Sequence, residues 1–220
     1  MMSEHMIKEA LRYLGYGTHG AEESTLKMVR ECFDELKRRA KERIVYRVFD
    51  LHMDEAGLIE IGNMRIESRS LSKNLKGCEK VILLGATLGI EVDILMKRYS
   101  CTDMARTVVL QACAAAYLEE YLDERQEVIA QEMKEEGYYL RPRFSPGYGD
   151  FSILHQRELL AMTDTARRIG LTMTEGSMLT PTKSVTALIG LSKEYQDCHR
   201  KGCETCEKAD CIYRRNHLDR

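Results

Sequence analysis

A chain of 220 residues, 44% hydrophobic and 31% charged, can bury a full core and still face water, as an ordinary globular protein does. Its net charge of -2 supplies no field that would gather nucleic acid or an anionic membrane. No apolar run nears the roughly 20 residues of a membrane span, and the start M-M-S-E-H-M-I-K-E-A lacks the apolar core of a signal peptide, so the expected setting is the cytoplasm.

In chain order, Ile7 to Leu14 reads as a short helix, followed by the glycine-rich turn G-Y-G-T-H-G. Ala21 to Ala40 carries Leu26, Met28, Val29, Cys32, Phe33 and Leu36 at helical spacing. Arg43 to Leu51 is β-branched and aromatic and predicts a strand. Leu58 to Glu67 predicts a hairpin around Gly62-Asn63. Ser70 would cap a short helix to Leu75. Lys80 to Gly85 is an almost unbroken apolar run, a buried strand, and A-T-L-G then leads into a helix over Ile90 to Tyr99. Thr102 or Asp103 caps a long helix that ends near Glu135.

Beyond it, Tyr138 to Phe144 predicts a strand, Asp150 or Ser152 starts a helix through Leu159, and Asp164 to Ile169 another. Leu171 to Thr174 and Ser184 to Leu191 close the series as strands. Hairpin-like strands mixed with helices of unequal length, without βαβ alternation, indicate an α+β fold.

Two stretches hold all three prolines. R-P-R-F-S-P-G-Y-G-D, Arg141 to Asp150, combines Pro142 and Pro146 with Gly147 and Gly149, so its backbone is steered along a set path. Arg143 offers a planar fork suited to carboxylate or phosphate, and Tyr148 a ring with a hydroxyl. Two readings stand here: a structural turn with a surface arginine, or an anion site in which the Pro146-Gly147 backbone lies against the ligand. The second stretch, Thr174 to Thr186 (T-E-G-S-M-L-T-P-T-K-S-V-T), carries Glu175, Lys183 and Ser184. Glu175 is either a solvated loop carboxylate or an acceptor for an amine or a ribose hydroxyl. Ser184 either starts a strand or touches the same ligand. No Ser-His-Asp set can be assembled around His155 or His199, so no catalytic residue is assigned. A-T-L-G-I-E-V-D lacks the glycines of a dinucleotide or phosphate loop, though Thr87 and Gly89 could shape an anion-favouring helix start.

The eight cysteines form two sets. Cys32, Cys78, Cys101 and Cys113 sit among apolar neighbours, as buried thiols do. Cys198, Cys203, Cys206 and Cys211, spaced C-x4-C-x2-C-x4-C, can wrap one metal centre: an iron-sulfur cluster, whose plant-type spacing the first three match, or a structural zinc. Free thiols or an occasional disulfide are the plainer alternative.

With these motifs in place, the chain resembles the activation domain of cobalamin-dependent methionine synthase, in its free-standing bacterial form. The resemblance rests on R-F-S-P-G-Y at Arg143 to Tyr148 and T-E-x5-P-x2-S-V-T at Thr174 to Thr186. It is helped by A-T-L-G-I-E-V-D and by D-M-A-R at Asp103 to Arg106, and is good from about Val81 to Leu191. It implies a central twisted antiparallel sheet with flanking helices over residues 1–192, and leaves residues 193–220 as a Cys-rich tail. It implies S-adenosylmethionine as ligand, with Arg143 on its carboxylate and Pro146, Gly147, Tyr148, Glu175 and Ser184 around it. It also implies cobalamin carried by a partner, either a truncated methionine synthase or another corrinoid protein, and a flavodoxin or ferredoxin as electron source. The chain departs from the family in having Ile189 and Gly190 where an aromatic pair is expected. The competing functions are a non-enzymatic metal-binding adaptor and a methyltransferase acting on a small substrate.

Overall fold

The computed structural model describes residues 4–16 and 20–195. Strand β5 (Lys80–Thr87) is its deepest element, buried from Val81 to its end. The reason is compositional: V-I-L-L-G-A offers apolar or small side chains to both faces. β5 pairs antiparallel with β1 (Arg43–Asp50) on one edge and β9 (Ser184–Ser192) on the other. Beyond β9 lies the two-residue β6 (Tyr139–Leu140), and the sheet order is β1-β5-β9-β6. The α+β expectation with an antiparallel central sheet holds.

The hairpin at Gly62-Asn63 falls where sequence places it, as β3 (Leu58–Ile61) and β4 (Met64–Glu67). β2 (His52–Met53) adds a third strand to that sheet, and β7 (Thr172–Met173) pairs with β8 (Leu179–Thr180). α3 is Arg69–Asn74, α6 is Gln156–Thr163 and α7 is Thr165–Ile169. Phe151, Leu159, Leu83 and Leu188 bury together with Ile59, Ile66 and Leu71, joining α3, α6 and the hairpin to one face of the central sheet. Val45, Leu160, Ile169 and Leu171 extend that face under α7.

These elements, residues 42–89 and 123–195, form one compact unit; residues 4–41 and 90–122 form a second. The long helix α5 (Met104–Glu135) contributes to both. In the second unit α1 (Glu4–Tyr13), α2 (Glu23–Arg39) and α4 (Ile90–Ser100) bury Met6, Val29, Phe33, Leu36 and Leu95. Asp103 caps α5 by accepting from Arg106 N at 2.9 Å, and Arg106 donates to Glu31 at 2.7 Å. Cys32 and Cys113 are buried neighbours. The neighbouring Cys32 thiol and burial push the Cys113 thiol up, and Cys113 Sγ donates to Val29 O at 3.8 Å.

Three expectations need correction. α3 is capped by Ser68, whose Oγ accepts from Leu71 N at 3.1 Å, and not by Ser70. The strand expected over Tyr138 to Phe144 is regular only at β6, because the two flanking residues Arg141 and Arg143 bracket Pro142, which has no N–H for a ladder. Phe144 rejoins as an isolated bridge to Leu188. Cys101 is exposed and Cys78 half-buried, so only two of the four scattered cysteines are core thiols. Among the described residues no helix is long and apolar enough to cross a membrane.

Candidate functional site

The two proline-bearing stretches converge on β9. Arg141 N donates to Gly190 O at 2.8 Å, and Phe144 exchanges both backbone bonds with Leu188 at 2.8 and 2.9 Å. Leu188 lies two residues past Thr186, where the second stretch ends, so the stretches share one strand end to end.

Side chains alternate along the first stretch as strand geometry requires. Phe144 packs with Phe151 on the face shared with α3 and α6. Arg143, one residue earlier, turns to α5. Its Nη2 donates to Asp123 Oδ1 at 2.7 Å and its Nη1 to Gln126 Oε1 at 2.9 Å. Asp123 and Gln126 are three apart on α5, hence on one side of it. The arginine expected to stand exposed is therefore ion-paired, with its side chain only 11% accessible.

Pro146 is buried. The Gly147 amide does not face outward: it donates to Phe151 O at 2.8 Å, while Tyr148 N donates to Ser145 O at 3.2 Å. The turn satisfies its own amides, so what it can offer a ligand is the ring and hydroxyl of Tyr148, 68% accessible. Gly149 (φ 56°) lies against α3, where a Cβ would stand 2.8 Å from Ser70 Oγ. Asp150 completes this contact. Its carboxylate accepts from Ser68 Oγ at 2.6 Å, Arg69 N at 2.8 Å and Ser70 N at 3.0 Å. These bonds, the Ser68 hydroxyl first, hold its pKa far below the ordinary carboxylate range. Asp150 thus ties the turn to the N-terminus of α3, and of the two expected starts of the following helical stretch it is Ser152 that caps it, accepting from Leu154 N at 3.3 Å.

In the second stretch Glu175 is exposed in the turn between β7 and β8, closed by Ser177 N donating to Thr174 O at 3.0 Å. Ser184 Oγ lies 2.6 Å from Pro181 O and 2.8 Å from Thr87 Oγ1, and Thr87 Oγ1 also accepts from Gly89 N at 3.1 Å. Leu88 N donates to Lys183 O at 2.9 Å. Ser184 and the A-T-L-G turn are thereby bound to each other. The Gly89 amide is spent inside the protein, as is that of Leu88.

Three side chains not marked by sequence organise this region: Asp123, Gln126 and Gln156. Gln156 is 4% accessible; its Nε2 donates to Ser177 O at 2.8 Å and its Oε1 accepts from Thr186 Oγ1 at 3.2 Å. It fastens the Glu175 turn to β9. A polar residue at the start of a helix gives no sign of being buried, and Asp123 lies in a charged run that reads as a solvated face. His155 packs on Phe151 and meets Glu158 at 2.8 Å, and its side chain does not cap the helix it precedes.

Ile189 and Gly190 explain the departure from the aromatic pair. Ile189 is fully buried, and a Cβ on Gly190 would stand 2.6 Å from Cys78 Sγ, 2.8 Å from Leu75 Cδ2 and 3.1 Å from Arg141 Cγ. No larger side chain fits there without displacing the strand's neighbours.

Among the described residues no group of three or more His, Cys, Asp or Glu side chains could hold a metal. Cys198, Cys203, Cys206 and Cys211 lie outside the described residues.

No protein-family model matches the chain, and no curated protein sequence matches it. Among solved structures the chain is similar to the MetH reactivation domain in its crystal structure bound to AdoHcy. The TM-score is 0.61 at 14% identity, over 87% of this chain and 76% of that one. The chain has the fold of that reactivation domain, as its motifs implied.

Proposed function

We infer that the protein binds S-adenosylmethionine and assists the reductive methylation of cobalamin held by a partner, a truncated methionine synthase or another corrinoid protein. The observation that supports this reading most is the coincidence of two independent things. The fold is that of a MetH domain solved with AdoHcy. The two stretches that resemble the activation-domain motifs also meet on one strand, β9.

In this reading Arg143 recognises the ligand's carboxylate, since a guanidinium offers parallel N–H groups that an ammonium lacks. Tyr148 supplies an exposed ring and hydroxyl to the ligand, and Glu175 accepts from the ligand's amine or a ribose hydroxyl. Pro146 and Gly147 set the turn that carries Tyr148. Ser184 acts indirectly, by holding the Pro181 segment to Thr87. No side chain here need act as general base, because the cobalt nucleophile belongs to the partner and the protein's task is to position a methyl donor. The electron comes from a flavodoxin or ferredoxin. The four cysteines of residues 198–211 hold an iron-sulfur cluster or zinc, a reading that rests on their spacing alone.

Isothermal titration calorimetry with S-adenosylmethionine tests the binding. Saturable heat is expected for the wild type and none for folded Arg143→Ala. Silence from the folded wild type at millimolar ligand would overturn the reading.

A further inference from the structure

We propose that Asp123, with Gln126, is an internal latch that occupies the anion seat of Arg143 until a ligand carboxylate displaces it. The inference rests on the reading of Arg143 as the carboxylate partner of the ligand.

The geometry carries it. End-on recognition of a carboxylate by a guanidinium uses the two terminal nitrogens together. In this structure both are already turned onto α5: Nη2 to the Asp123 carboxylate at 2.7 Å, Nη1 to the Gln126 carbonyl at 2.9 Å. A ligand approaching that end of the fork meets nitrogens already given to two acceptors, one of which, Asp123, carries the ligand carboxylate's own charge. The two partners differ in exposure. The Arg143 side chain is 11% accessible and held in place, whereas that of Asp123 is 43% accessible. On exchange, Asp123, the more exposed of the two, gives way while the arginine stays where it is and takes a new carboxylate. The largely covered cation is never left without an anion, which would be the costly state. Asp123 therefore sets the threshold of ligand concentration at which the site fills.

Removing the latch must then strengthen binding, a sign opposite to that of ordinary structural damage. For Asp123→Ala, S-adenosylmethionine is expected to bind roughly three- to ten-fold more tightly by calorimetry. Gln126→Ala is expected to move affinity the same way by less. Decarboxylated S-adenosylmethionine, which brings no competing carboxylate, should gain nothing from either change. Should Asp123→Ala not fold, as judged by its circular dichroism, Asp123→Asn serves in its place.

Unchanged or weaker binding by the folded Asp123 variant, with wild type binding and Arg143→Ala silent, would overturn the latch. Weaker binding would make Asp123 part of the ligand site and unchanged binding a bystander to it; either leaves the S-adenosylmethionine reading intact. Equal tightening of the decarboxylated ligand would also overturn the latch. Silence from every folded variant, wild type included, would overturn both.

Discussion

At the level of single residues, Gly190 shows how a close approach decides an identity. It sits on β9 with Cys78, Leu75 and Arg141 packed over the place where a side chain would start. Gly190→Ala should destabilise the fold by about 1–3 kcal/mol, the usual cost of forcing a methyl into a filled core. Urea denaturation would read this as a lower midpoint at unchanged slope. The sequence could show that glycine replaces an aromatic, but not why, since Cys78 and Leu75 reach it only through the fold. Arg143 was legible as a special arginine from its P-G-Y spacing. Its orientation was not, because the pairing of Phe144 with Leu188 that sends Arg143 to the α5 side is set across 44 residues of chain. The partners Asp123 and Gln126 were hidden for the same reason.

Among elements, the long and strongly patterned ones were readable. β1, β5, β9, the β3-β4 hairpin and helices α2, α4 and α5 follow local periodicity and turn chemistry. Two of the short ones were not. β2 and β8 have two residues each, too few for a period, and form because neighbouring strands offer them hydrogen bonds. The helix α3, legible in the sequence, is also fixed from afar. Ser68 caps it locally, and Asp150, 82 residues further on, accepts from the same serine and from two of the first backbone amides. This carboxylate titrates below its ordinary value, so the folded state prefers it ionised. The stabilisation is present above the unfolded pKa near 4 and fades as pH falls below it, when the unfolded chain takes up the proton first. Asp150→Asn should therefore melt at lower temperature than wild type at pH 7. Thermal scans at successively lower pH should show the gap closing below about pH 4. A gap that stays constant down to pH 2 would contradict the role given to Asp150.

For the molecule as a whole, motif and fold point the same way by separate routes: short sequence patterns on one side, backbone likeness to a MetH reactivation domain on the other. The cysteine spacing carries a separate proposal. Anaerobically purified protein should absorb in the visible, with bleaching by dithionite, if residues 198–211 hold an iron-sulfur cluster. A colourless preparation with one equivalent of zinc and no sulfide would assign a structural site instead. The reaction itself can be followed directly. A corrinoid protein in the cob(II)alamin state is mixed anaerobically with S-adenosylmethionine and a reduced flavodoxin, with and without this protein, and the absorption spectrum is recorded over time. Methylcobalamin should accumulate only when the protein is present, and not with Arg143→Ala. Equal accumulation without the protein, or undiminished accumulation with folded Arg143→Ala, would contradict the role proposed for it.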